Sequence, residues 1–171
     1  MERQEMLDAL GEVGEELQRR EISAKLYLVG GAAMVLAHGS RNATDDIDGD
    51  FYPREEVREV AREVARRRQL PDEWLNSAAL SFIPVFRSPD WRPVMRFGSL
   101  EIAVADERSM LAMKIRASRG RRDEPDLRVL LEKCAITSVA EALVIYDEYF
   151  PEDPLPQRAL AMLEYLLESS P

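Results

Sequence analysis

Apolar positions along the chain change period several times, and each change marks an element. Met6, Leu7, Leu10, Val13, Gly14 and Leu17 recur at three- and four-residue spacing and predict a helix over 3–20. Residues 26–30 are short, apolar and bounded by glycine, which suits a buried strand. A helix over 32–38 and a loop of polar turn residues over 39–44 follow. Residues 45–52 alternate, as a strand with two unlike faces does. Pro53 suits the first position of the next helix, in which Val57, Val60, Ala61 and Val64 form the buried stripe and which ends near Gln69, before Pro71.

The stretch 71–93 is irregular, with four prolines, both tryptophans and one short apolar piece at 80–86, and reads as a covering loop or a strand at the sheet edge. Residues 95–104 predict a hairpin turning at Gly98-Ser99. Helices follow at 107–119, 125–134, 138–149 and 155–168, with Asp106 as an N-cap, Ser138 and Glu141 as a capping box, and Pro151, Pro154 and Pro156 separating the last two. This order predicts an α/β chain of the α+β type: a small mixed sheet with helices on one side and a helical C-terminal part, not a doubly wound parallel sheet. The expected division is a core over 1–135 and a helical extension over 136–171 packed on it.

Composition narrows the setting. With 171 residues, 46% of them hydrophobic and 32% charged, the chain is long enough for one domain with a real core. No apolar run approaches the roughly 18 residues of a membrane span, and the first residues lack the basic-then-apolar order of a secretory signal. Cys134 is the sole cysteine, so an intrachain disulfide is excluded and a cytoplasmic setting is expected. His38 is the sole histidine, which excludes a four-ligand Cys/His zinc site; it reads as a helix-end cation or a core hydrogen-bonder.

A net charge of −9 argues against general adhesion to nucleic acid, and no stable DNA binding is expected. Arg54, Arg58, Arg62 and Arg66 run beside Glu55, Glu59 and Glu63 and predict an ion-paired solvent face. Arg116, Arg119, Arg121 and Arg122 have fewer acids among them and are the better candidates for a phosphate or an RNA backbone, with a solvated loop as the alternative.

Candidate chemistry concentrates between 26 and 51. Asp46 and Asp48 are two apart on a predicted strand, so they share a face with roughly 6–7 Å between their bases and can converge on a cation. Gly30-Gly31 opens a helix and offers free backbone N–H groups to a phosphate. An EF-hand reading of Asp46, Asp48 and Asp50 fails, because the loop glycine would fall at Phe51 and the closing glutamate at Val57.

Gly30-Gly31, Arg41, Thr44, Asp46 and Asp48, in the pattern G-G-x(9)-R-x-x-T-x-D-I-D, resemble the signature of the nucleotidyltransferase fold of the DNA polymerase beta superfamily. The likeness is closer to its small prokaryotic members that act as toxins, or as partners in toxin–antitoxin and abortive-infection systems. The stretch SMLAMKIRASRGRRDEPDLRVLL, 109–131, resembles their later block, a helical lysine before a basic loop and an Asp-x-x-Asp, and DEWLN at 72–76 is similar to a segment of uncharacterised relatives.

The resemblance implies one or two Mg²⁺ ions, or Mn²⁺, held by Asp46 and Asp48 with a third acid from a neighbouring strand, for which Glu101 is the candidate and Asp50 or Asp126 the alternatives. It places Gly30, Gly31, Arg41 and Thr44 at the nucleotide, and Lys114 and Asp126 in catalysis. Lys114 interrupts a largely apolar helix face and must snorkel outward or meet an anion, such as a nucleotide phosphate. Asp123 reads as structural, capping the helix that begins near Pro125. Two departures stand out: many relatives have Ser directly after the first glycine, where Gly31 stands here, and Asp48 leads into Gly49-Asp50 instead of an apolar residue.

The expected activity is transfer of a nucleoside monophosphate from an NTP to an RNA end, tRNA included, or to a protein hydroxyl, as a toxin-type element with a cognate antitoxin as candidate partner and no membrane partner. The alternative is a non-catalytic relative that binds nucleotide or serves as an antitoxin-like regulatory partner.

Overall fold

The computed structural model describes residues 1–168; residues 169–171, the end of the expected C-terminal extension, lie outside them. The chain is mixed α/β and divides into two compact units, Met1–Leu80 with Trp91–Ala105, and Ser81–Asp90 with the chain from Asp106 onward.

The first unit is built on β1 (Ala24–Leu28), β2 (Ile47–Tyr52), β3 (Leu75–Asn76), β4 (Trp91–Phe97) and β5 (Leu100–Ala105). Their order is β3-β2-β1-β5-β4. The pairs β1/β2 and β4/β5 are antiparallel, and β1/β5 and β2/β3 parallel, so the sheet is mixed, as expected.

Strand alternation gives the sheet two unlike faces. Leu26, Leu28, Phe51, Ile102 and Val104 share the buried face, on the side of the helices α1 (Arg3–Arg19) and α3 (Arg54–Arg68). Lys25, Tyr27, Asp48, Asp50, Tyr52 and Glu101 lie on the other face, partly or fully exposed.

Arg20 ties α1 to α3 by donating to Glu16, Glu59 and Glu63 at 2.8, 3.2 and 2.6 Å. Within the charged stripe of α3 Arg58 pairs with Glu55 at 2.7 Å, whereas Arg54 turns to Asp50 at 2.9 Å and Arg62 to Glu73 at 3.5 Å, so the face is ion-paired largely with partners outside the helix. Pro53 is the N-cap of α3, one position earlier than expected. The 71–93 stretch yields the two-residue β3, a 3₁₀ turn at Ala78–Phe82 and the start of β4; the apolar piece at 80–86 is not a strand, and its Phe82, Val85 and Phe86 are exposed.

The second unit is helical: α4 (Glu107–Ala117), α5 (Glu124–Lys133), α6 (Val139–Tyr149) and α7 (Gln157–Glu168). Asp106 caps α4, accepting from the amides of Arg108 and Ser109 at 3.1 and 3.3 Å, and Ser138 with Glu141 closes a capping box on α6. The expected boundary near 135 moves to Ala105/Asp106, because α4 packs on α5 and α6 and α5 on α7, burying Leu111, Leu127, Leu130, Ile145 and Leu163 together. Among the described residues no helix is long and apolar enough to cross a membrane.

Candidate functional site

The first unit gathers most of the expected residues around the start of α2 (Gly30–Ala33). Gly30 has φ +63, a backbone state that side chains disfavour, and it lies against Asp48: a Cβ added there would stand 3.3 Å from Asp48 Oδ2. A Cβ there would displace the carboxylate by a few tenths of an ångström. At the start of α2 the amides of Gly31 and Ala32 lack intrahelical acceptors, as at any helix start. The segment then departs from the expected single helix by widening. Met34–His38 form a π-helical turn closed by the Gly39 amide on the Met34 carbonyl at 2.7 Å.

Gly31 explains its own departure from the resembled pattern. A Cβ at this position would lie 2.2 Å from Thr44 Oγ1, so the Thr44 side chain fills the space a serine would need. Thr44 is buried, and its backbone is pinned by hydrogen bonds with Met1, amide to carbonyl at 3.0 Å and amino group to carbonyl at 2.7 Å. We expect Gly31→Ala to cost about 1–3 kcal/mol through overpacking. Adding Thr44→Ala removes the nearer clash, so urea unfolding of the double mutant should show less than the summed loss. Arg41 is half-buried in the loop between the π turn and β2.

Asp46 sits in a bend one residue before β2, and a residue the sequence reading left without a role decides where it points. Asn76 of β3 donates from Nδ2 to Asp46 Oδ2 at 3.0 Å and is the register partner of Asp48. Register partners in a sheet share a face. The Asp46 carboxylate is therefore drawn to the face that carries Asp48. Asn76 is itself held in place: its Oδ1 accepts from the Ala78 amide at 2.8 Å, and Trp74, buried beside it in the chain, donates its indole N–H to the Ala61 carbonyl of α3 at 2.9 Å. The DEWLN segment was the signal: a tryptophan anchor followed by a strand residue that reaches the acids.

The third acid is where sequence and register part. Glu101 lies opposite Lys25, which lies opposite Tyr52, four residues along β2 from Asp48. At about 3.3 Å per residue this is roughly 13 Å along the strand direction, and β1 intervenes so that two strand spacings add to it; Glu101 is not a neighbour of Asp48. It pairs instead with Lys25 at 3.8 Å. Level with Asp48 and Asp50 on β5 stand Ala105 and Ala103. Asp50 shares the face of Asp48 but accepts from Arg54 at 2.9 Å and from the Phe51 amide at 3.1 Å.

Comparison of the chain with family models, curated proteins and solved structures finds no match.

Among the described residues no group of three or more His, Cys, Asp or Glu could hold a metal ion. A two-carboxylate site is nonetheless what a hard cation that keeps most of its water and takes substrate oxygens needs. Asp46 and Asp48 fit Mg²⁺ or Mn²⁺ in that sense. His38 is absorbed by the core, its Nε2 against the Ala105 carbonyl oxygen at 3.1 Å.

The other two expected residues lie in the second unit and are engaged with each other. Lys114 Nζ is 2.6 Å from Asp126 Oδ2 and 2.9 Å from Asp123 Oδ1, with both carboxylates fully buried. The anion that the buried lysine requires comes from the chain itself. Asp123 does not cap α5 with its side chain. It accepts from the Arg119 amide at 2.9 Å and from the Arg119 guanidinium at 3.2 and 3.1 Å. Burial pushes the Asp123 carboxyl up, but the Arg119 donors and the Lys114 charge outweigh it and hold the group well below the ordinary carboxylate range.

Of the basic loop, Arg116 is engaged inside the second unit by Asp153 at 2.7 Å and by the Phe150 ring at 4.7 Å. Arg121 instead lines a cleft of about 510 Å³ with Arg158, Tyr165 and Glu124. Tyr165 is 53% exposed, with the Arg128 guanidinium over its ring at 5.8 Å.

Proposed function

We propose that the protein is a metal-dependent nucleotidyltransferase that moves a nucleoside monophosphate from an NTP to an acceptor hydroxyl. The observation that carries this reading is the Asp48 carboxylate pressed against Gly30, with Asp46 turned to the same face by Asn76. Asp46 and Asp48 would hold Mg²⁺, which when bound neutralises triphosphate charge and polarises the phosphoryl oxygens. The chain's own contribution is to keep both carboxylates on one face and to bring the glycine at the start of α2 next to Asp48. Half-buried Arg41 adds a cation from the same segment. Lys114 and Asp126, implied in catalysis by the family likeness, have a mutual partnership that supports a positioning role for the helices bearing them.

Arg121 and Arg158 in one cleft of the second unit favour an RNA acceptor over a protein hydroxyl, since guanidinium groups suit phosphates. A toxin-type role, with a cognate antitoxin, follows only from the resemblance.

Incubation with each α-labelled NTP, Mg²⁺ and total RNA or lysate tests the reading, and label appearing in RNA is the expected result. Asn76→Ala should lower the rate by roughly 10–100-fold, the scale at which partners that orient metal ligands act, and should raise the Mg²⁺ concentration needed for half-maximal activity. Nucleotide binding with no transfer to any acceptor would instead support a non-catalytic relative acting as a binding or antitoxin-like partner. Ala103 and Ala105 at the β5 positions level with the acids favour that second reading.

A further inference from the structure

The open face of the sheet holds an aromatic pair that none of the site residues named so far uses. Tyr27 of β1 lies opposite Asp50 on one side and Ala103 on the other. Trp91 of β4 lies opposite Ala105, two residues further along β5. Cross-strand partners share a face, and residues two apart on a strand do too, so Tyr27, Trp91, Asp48 and Asp50 all belong to one face.

Between the two rings runs β5, and the residues it presents there are both alanines. Their methyl groups leave room for the rings to meet above the strand. The ring centroids are 5.0 Å apart at an interplanar angle of 58°. Ala103 and Ala105 are buried although they sit on the open face, which fits a position beneath the rings. Tyr27 and Trp91 themselves remain partly exposed. At this tilt neither ring covers the other's face fully, so a flat ring face remains beside the acids. The other tryptophan, Trp74, contrasts with Trp91: it is buried and its N–H is bonded to the Ala61 carbonyl.

We infer that Tyr27 and Trp91 form the platform on which the base of the nucleotide stacks. This rests on the nucleotidyltransferase reading, in which the phosphates lie at Gly30 and Asp48. From there the direct and diagonal cross-strand neighbours of Asp50 and Asp48 lead to Tyr27, a span that a ribose bridges. Stacking tolerates any base, so the platform supplies affinity without strong preference among the four nucleotides.

Titration of the full chain with ATP, GTP, CTP or UTP in Mg²⁺ should quench the emission of Trp91 and saturate. Inorganic tripolyphosphate with Mg²⁺ should bind without that quenching. Tyr27→Ala and Trp91→Leu should each weaken NTP affinity by calorimetry roughly ten-fold, leaving tripolyphosphate affinity unchanged. Trp91→Phe, which keeps a stacking face, should restore most of the loss. If folded Tyr27→Ala and Trp91→Leu proteins bind NTPs as tightly as the parent, or lose NTP and tripolyphosphate affinity equally, the pair is only a structural cross-strand contact and the platform is overturned, with the phosphate site intact. If neither NTPs nor tripolyphosphate bind the parent chain, the nucleotide reading itself falls, and the platform with it.

Discussion

Asp48→Asn is expected to lower nucleotidyl transfer by at least about a hundred-fold while leaving thermal unfolding within a few degrees of the parent. A divalent ion contributes several kcal/mol to transition states of this kind, and each 1.4 kcal/mol is a factor of ten. Asparagine keeps the size of the side chain against Gly30 but removes the charge that recruits the ion. Label transfer at saturating NTP, over a range of Mg²⁺ or Mn²⁺ concentrations, measures the effect. Glu101→Gln is the paired control: the register removes Glu101 from the acids, and its 3.8 Å pairing with Lys25 is a surface contact worth about 0–1 kcal/mol. Full activity in Asp48→Asn, or equal losses in both variants, would sink the assignment of the metal site.

The second large effect is on stability. Lys114→Ala leaves Asp126 and Asp123 buried without the ammonium between them, with Arg119 still on Asp123. Breaking a buried pair from one side costs about 3–5 kcal/mol, a large part of the 5–15 kcal/mol that holds a typical protein folded. Urea unfolding at pH 7 should show the loss. Replacing all three members with apolar or amide side chains, as in Lys114→Met with Asp123→Asn and Asp126→Asn, should recover much of it, since no buried charge is then left unpaired.

Acid adds a signature. The folded-state pKa of Asp123 lies below its unfolded value of about 3.9, so its contribution is complete above that value and lost as pH falls through the folded one. In Lys114→Ala the carboxylates have lost their counter-charge and take up protons more readily, so the gap between variant and parent should narrow as pH drops below about 5. A gap that stays constant down to pH 4 would mean that lost packing, not charge, sets the cost.

Much of this molecule was legible along the chain, and the misses share a cause. The helix ends at Asp106, Ser138 and Gln69 follow from local chemistry, capping side chains and the proline at 71, and they fall within one or two residues of expectation. The acidic alternation of β2 follows from period two, and the juxtaposition of Asp48 with the glycine turn from one short stretch of sequence. Glu101 failed because its place depends on the β1/β5 register, which links residues about 75 positions apart and which no local pattern encodes. Asn76 was overlooked for the same reason: its partner Asp46 is 30 residues away. For Lys114 the sequence left snorkelling or a nucleotide phosphate as the alternatives, and the anions it meets are instead two aspartates, 9 and 12 residues further along the chain.

By itself, then, the order of residues determined the mixed α/β class, nearly every helix and the single stretch where carboxylates and glycines could meet, because periodicity, caps and turns act over a few residues. Only the tertiary structure decided which acids share a neighbourhood, that Asn76 aims Asp46, that Thr44 leaves no space for a side chain at Gly31, and that Lys114 is satisfied from within. Those outcomes depend on strand register and helix packing, which join distant segments through burial and hydrogen bonding after the local elements have formed.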